Sequence, residues 1–469
     1  MNRLLTLVMV AALAGCAGAP GQPMSAGVRA GGAQDIGFAR AQITNGTVPQ
    51  PESFLVEGLY AEHDLPVADA PAGKTLSVAL GVGKAPLLPA GTPATFIQVG
   101  MSSGIPLEQL KRPKLQLVVV ADRSGSMQGA KIQALRAALT KLVDQLTPDD
   151  QLAVIQFDTS VDELHGLSNV TDKAEFKAAV GRIKDAGGTD IGAGLRRGFS
   201  MLEAAPAAEG VEKRVILLTD ADPNEGNMTT ASFNELVGQY AAKHIGLTAF
   251  GVGLDFQPAI AEAIGHQEGG NYVYLESPAK LEKVFDQDFD YLMSPAAYDV
   301  DLAVTPAKGW KVAEAFGAKL DPAKADGYHL NVKTLFFSKG RGAIVLRLEP
   351  TGTPAAGEQA IAEGHLTYIE RDHVTHRDDV ISAKATGDLP TGKTRYFSPE
   401  PVRKAVALTN MYLGMKEATR LFHAGKAAEG IKVLAAAKVE LEDARTALKA
   451  EDLATEITLL DKLSADMSR

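Results

Sequence analysis

Cysteine is nearly absent from this chain: one occurs among 469 residues, Cys16, so no disulfide can close within it. Cationic excess is missing too. With 57 acidic against 47 basic residues the formal charge is -10, which argues against a broad nucleic-acid footprint, because such footprints need clustered cations. The apolar stretch that opens the chain, Leu4 to Ala14, is also short. At about eleven residues it cannot span a bilayer, and behind the basic lead Met1-Asn2-Arg3 it suits a secretory signal. What remains is a 45% apolar, 22% charged polypeptide, long enough for two or more packed units with soluble cores.

The lone cysteine stands in Leu13-Ala14-Gly15-Cys16, which resembles the lipobox of bacterial lipoproteins at every position. The resemblance implies cleavage of residues 1–15, acylation of Cys16 and stable anchoring by two or more chains. Ala17 rather than an aspartate follows the cysteine, so lipoprotein sorting points to the outer membrane ahead of the inner. Residues 16–51 are rich in Gly, Ala, Pro and Gln with few large apolar side chains. They read as a tether that cannot bury enough surface to order itself, spanning roughly 30 to 35 Å as flexible coil.

Beyond the tether, period-two alternation marks strands with one buried face. Leu76, Val78, Leu80 and Val82 form one series; Tyr298, Val300, Leu302 and Val304 another; Tyr328, Leu330, Val332 and Phe336 a third. They assign β-rich segments to residues 52–113 and 294–398. The intervening residues 114–293 alternate apolar strands with amphipathic helices: Leu115 to Ala121 then Ala130 to Leu146, Leu152 to Phe157 then Lys173 to Lys184, Val215 to Leu218 then Ala231 to Lys243, Leu247 to Val252 then Pro258 to Gly265. That order predicts an α/β unit, a doubly wound and mostly parallel sheet of Rossmann-like build. Inserted between the β-rich flanks, it leaves them free to join in one sandwich. Residues 399–469 carry helical spacing in Leu408, Met411, Tyr412, Met415 and Phe422, in Ile431, Leu434, Leu441 and Leu448, and in Leu453, Ile457 and Leu460, so a helical tail closes the chain.

Three loops at the expected carboxyl edge of the parallel sheet gather oxygen donors and no His or Cys. Asp122, Ser124 and Ser126 follow the first strand, Thr189 and Asp190 lie in Gly187-Gly188-Thr189-Asp190-Ile191-Gly192, and Asp220 ends the strand Val215 to Thr219. Hard oxygen ligands suit Mg²⁺, with Mn²⁺ or Ca²⁺ as alternatives, and neutral hydroxyls leave much of the ion's charge uncompensated. The loops resemble the von Willebrand factor type A domain, whose metal-ion-dependent adhesion site reads D-x-S-x-S, then T, then D. The resemblance assigns Asp122, Ser124, Ser126, Thr189 and Asp220 as metal ligands, direct or through water, with an acidic residue of a protein partner completing the octahedron. One departure is present. Where the family has T-D-G, this chain has Thr219-Asp220-Ala221-Asp222, and Asp222 with Asn224 reads as turn chemistry, as a cap does for Asp190.

Enzymatic readings find less support. Gly387 to Thr394 satisfies the P-loop expression G-x-x-x-x-G-K-[ST], but Pro399 and Pro401 stand where a phosphate-binding helix would open, so no nucleotide is expected. His373 and His376 read as a solvated hairpin tip. Ser124 has no nearby cue for a base. The reading is therefore a membrane-anchored, divalent-metal-dependent protein-binding module, neither an enzyme nor a nucleic-acid binder. The alternative is a structural or assembly factor of the cell envelope in which the metal only stabilises the fold.

Overall fold

The computed structural model describes residues 25–469 except 31, 34–35, 207–209, 221–227, 253–269, 276–288, 319–326, 353–357, 380–384 and 389–394. The signal peptide, Cys16, Asp222, Asn224 and the helix expected at Pro258 to Gly265 lie outside the described residues.

Two sheets organise the chain. The central one has seven strands in the order Gly32–Ala33, Gly270–Leu275, Ile245–Val252, Val211–Thr219, Lys114–Asp122, Gln151–Phe157, Val161–Asn169. All neighbours are parallel except Val161–Asn169, which returns antiparallel on Gln151–Phe157. The sequence reading missed this edge strand: only short intervals of Val161–Asn169 are apolar, and its residues stay half-exposed or exposed. The buried strands do read as continuous apolar runs, as a sheet covered on both faces requires. On one face the helix Ala130–Gln145 lays Ile132, Leu135, Leu139, Leu142 and Val143 against Leu117, Val119 and Ile216. On the other, the helix Ile191–Ala204 presents Leu195, Phe199 and Leu202 to Val118, Val120 and Val215.

The second sheet has eleven strands and is antiparallel, and both β-rich flanks enter it. Ser77–Leu87 pairs along its whole length with Thr92–Pro106, which also pairs with Gly342–Pro350. Pro295–Pro306 pairs with Tyr328–Ser338 and Glu358–Ile369. Their inward residues, among them Leu76, Val78, Leu80, Val82, Val300, Leu302, Val304, Tyr328, Leu330 and Val332, share one core as the alternation predicted. Phe336 does not keep that parity. Leu335 and Phe337 join the core instead, and the Phe336 ring lies 4.5 Å beneath the guanidinium of Arg214. Arg214 is fully buried, ion-paired with Glu212 at 3.1 Å, and Glu212 accepts from the Tyr298 hydroxyl at 3.2 Å. A buried polar chain thus joins the two sheets. The hairpin tip is exposed as expected, and the His373 ring in addition stacks on Tyr298 at 4.0 Å and meets His244 at 5.5 Å.

The tether expectation is corrected from residue 25 onward. Ser25–Ala30 is a strand inside the antiparallel sheet, between Thr92–Pro106 and Tyr328–Ser338, with Ala26 and Val28 fully buried. The next residues, Gly32–Ala33, extend the edge of the parallel sheet, and Gly37–Thr44 is a helix. One small-residue segment therefore stitches both bodies; small side chains are what so crowded a path admits. The segment 52–113 likewise begins with the helix Val56–Ala61 before its strands. The tail is three helices, Val402–His423, Ala427–Leu448 and Leu453–Met467, packed on the outer face of the antiparallel sheet through Leu408, Met411, Met415, Leu441 and Leu460. Buried His63 ties this layer to the preceding helices, within 2.8 Å of Asp452 and 3.2 Å of Glu456. The P-loop look-alike begins in a strand, Ala385–Asp388, paired with Glu358–Ile369, and among the described residues the next helix starts at Val402.

Candidate metal centre

Two neighbouring parallel strands end side by side at the carboxyl edge of the central sheet, the place where such sheets receive ligands. Lys114–Asp122 and Val211–Thr219 are in register with Ala121 opposite Leu218, so Asp122 and Asp220 emerge next to each other. Asp122 is fully buried. Its Oδ1 accepts from the Ser124 backbone N–H at 2.8 Å, an Asx turn that folds the loop back, and its Oδ2 accepts from the Thr219 hydroxyl at 2.5 Å. The Ser124 and Ser126 hydroxyls lie 3.0 Å apart, and Ser126 donates to Asp220 Oδ1 at 2.8 Å. Lys131 reaches Asp220 Oδ2 at 2.6 Å. Four of the five expected ligands therefore form one network of oxygens.

The third loop is tied to the first through backbone bonds. Gly125 N–H donates to the Gly187 carbonyl at 3.2 Å and Ala186 N–H to the Arg123 carbonyl at 2.7 Å. Farther along, Asp190 N–H donates to the Asp158 carbonyl at 2.8 Å, and the Asp190 side chain caps the helix Ile191–Ala204 by accepting from Ala193 N–H at 2.9 Å. Asp190 is thus the helix cap. Thr189, half-buried, stands on this fastened loop beside it. Gly187 is held at φ +65°, and a Cβ there would meet the Asp158 carboxylate at 2.9 Å, so a glycine is required on both counts.

Three participants went unrecognised from sequence. Thr219 fixes Asp122; Lys131 neutralises part of Asp220; Asp158, just past the strand Gln151–Phe157, pairs with Arg123 at 2.8 Å and so braces both loops. Asp158 occupies the same end-of-strand position as Asp122, and that rule would have found it. No local pattern marks Lys131.

Electrostatically, Asp122 is the perturbed member of the centre. Burial pushes the Asp122 carboxyl up to about 6, the charge of Asp220 adds to the rise, and the bonds from Thr219 and Ser124 oppose it. Two carboxylates and several hydroxyls, without nitrogen or sulfur, form a hard donor set that fits Mg²⁺, Mn²⁺ or Ca²⁺. Among the described residues no cluster of three or more His, Cys, Asp or Glu side chains is poised to hold a metal, so carboxylates alone would not complete such a shell.

Residues 116–287 match the family model of the von Willebrand factor type A domain. An uncharacterized protein of Escherichia coli K12, YfbK, is 26% identical over 281 residues, covering 58% of this chain and 48% of its own length. The human inter-alpha-trypsin inhibitor heavy chain H4 is 32% identical over 185 residues, covering 37% of this chain and 19% of its own length. This chain thus spans about half or less of these relatives. A solved structure described as von Willebrand factor type A from Catenulispora acidiphila superposes with a TM-score of 0.57 at 18% identity, covering 83% of this chain and 87% of that one, a likeness of fold that extends beyond the parallel sheet. The central body is a von Willebrand factor type A domain, a kind of domain whose members are mostly protein-interaction and adhesion modules.

Proposed function

We propose that this protein is a membrane-anchored binding module that captures an acidic residue of a protein partner through a divalent cation, Mg²⁺ in the first place. Asp122, Ser124, Ser126, Thr189 and Asp220 would hold the ion, which supplies an open coordination position for an outside carboxylate. The carrying observation is the shared network of Asp122, Ser124, Ser126 and Asp220 at the carboxyl edge of the sheet. The chain's own residues perform the preparatory work. Thr219 and the Ser124 amide orient Asp122, the Gly187 turn brings the third loop alongside, and Asp158 with Arg123 fixes the spacing. Neutral hydroxyls keep the ligand set low in charge, so a bound ion retains appetite for one more anion. Acylation of Cys16 would hold the module in the envelope, on the outer membrane.

Ser126 gives the cleanest test because it is exposed, whereas Asp122 also anchors the loop by accepting from the Ser124 amide and the Thr219 hydroxyl, and its loss removes both bonds. Ser126→Ala should weaken Mn²⁺ or Mg²⁺ binding by calorimetry about tenfold or more, with cooperative thermal unfolding retained and the midpoint lowered only by the loss of one bond to Asp220. Metal uptake by the wild type that survives Ser126→Ala and Thr189→Ala together would sink this reading and leave the envelope-scaffold alternative.

A further inference from the structure

Lys131 is oddly placed for a surface lysine. It is the second residue of the helix Ala130–Gln145, where unpaired backbone N–H groups already concentrate positive charge and disfavour a cation. That first turn holds no acidic side chain, and the cap residue Gly129 contributes none. The ammonium is held by Asp220, across the sheet edge, at 2.6 Å; the Asp220 side chain is 1% exposed and that of Lys131 20%. Both oxygens of Asp220 are thereby engaged, Oδ1 by the Ser126 hydroxyl and Oδ2 by the lysine.

Any divalent ion that draws on Asp220, directly or through water, must share this carboxylate with a fixed positive charge a few ångströms away. Of the two negative charges of Asp122 and Asp220, one is already balanced inside the protein. We propose that Lys131 is an internal cation that competes with the metal for Asp220 and so sets the divalent-ion concentration at which the centre can accept a partner's carboxylate. This inference rests on the metal-binding reading above and adds a threshold to it: at low divalent concentration the lysine holds Asp220, and the ion takes over only when abundant.

The test is calorimetric titration of the full chain with MnCl₂ and MgCl₂ at fixed ionic strength, comparing wild type with Lys131→Met, Lys131→Gln and Lys131→Arg. Met and Gln should bind about tenfold tighter, the effect of removing one partly buried competing charge, while Arg stays near wild type. Melting midpoints establish that each variant is folded, and with three substitutions at this half-buried position in the first helical turn one misfolded variant leaves the comparison standing. Wild type and the neutral variants binding equally, or the variants binding more weakly, overturns the competition and makes Lys131 a residue that merely positions Asp220. Failure of wild type and all variants to bind either ion overturns the metal-binding reading itself, and this inference with it.

Discussion

Gly27→Ala adds one methyl group to a segment whose composition suggests a flexible linker, where it would have no effect. In the folded protein the added Cβ would lie 2.0 Å from the Gly340 carbonyl oxygen, 2.3 Å from its carbon and 2.7 Å from the Arg341 nitrogen, against a floor of 3.0 Å for real contacts. Relief requires a backbone retreat of about 1 Å, the difference between that floor and the nearest contact. The turn at 338–341 is not free to give way. Arg341 N–H is held by Asp64 at 2.7 Å, its guanidinium by Asp64 and Asp69, and its carbonyl accepts from Leu65 N–H at 3.1 Å. Nor can Gly27 itself move cheaply, since it is paired with Ser338 on one side and Ser102 on the other. Overpacking of this kind costs about 1 to 3 kcal/mol, and weakening a pair of strand hydrogen bonds adds about 1 kcal/mol each. A total near 3 to 5 kcal/mol lowers a midpoint by about 6 to 20 °C for a body of this size. Gly238→Ala is the matched control: it lies exposed within the helix Thr230–Ala241 with nothing inside 4 Å of the new Cβ, and should stabilise by about 0.5 to 1 kcal/mol. Thermal and urea unfolding followed by circular dichroism read both. A wild-type midpoint for Gly27→Ala would refute the threaded strand and restore the tether.

Two further outcomes are expected. His63, whose pKa the carboxylates of Asp452 and Glu456 raise from 6.5 against the opposing effect of burial, contributes stability that is present below pH 6.5 and lost as pH rises through its folded value; Asp452 and Glu456 are shifted down, so their share is lost only in acid, below their ordinary values of 3.8 and 4.5. His63→Gln should therefore cost roughly 2 to 3 kcal/mol near pH 5.5 and distinctly less near pH 9, and an identical urea-unfolding deficit at both would contradict the pairing. Cys16→Ser should move the protein from the membrane to the soluble fraction on cell fractionation, and unchanged retention would exclude acylation as the anchor.

Much of the site was legible because its signals are local. An apolar strand that ends in aspartate, twice, with a glycine-rich hydroxyl loop between, needs no long-range information to be noticed. What the loops bring along was not legible. Lys131 is an ordinary helix lysine until the neighbouring strand places Asp220 within 2.6 Å of it, and Asp158 gains meaning only through Arg123 and the carbonyl it offers to Asp190. His373 is exposed as its polar surroundings suggested, but nothing nearby in sequence announces Tyr298 or His244 as its ring neighbours.

By itself the sequence determined where strands alternate with helices, which faces are apolar and which oxygens gather after Val120 and Leu218, since periodicity and end-of-strand chemistry are written over a few consecutive residues. Only the tertiary structure decided that Ser25–Ala30, with two large side chains among its six, is a strand: its partners lie some 75 and more than 300 residues further along. A backbone held on both sides by distant strands needs no apolar pattern of its own, because the pairing rather than the side chains supplies the order.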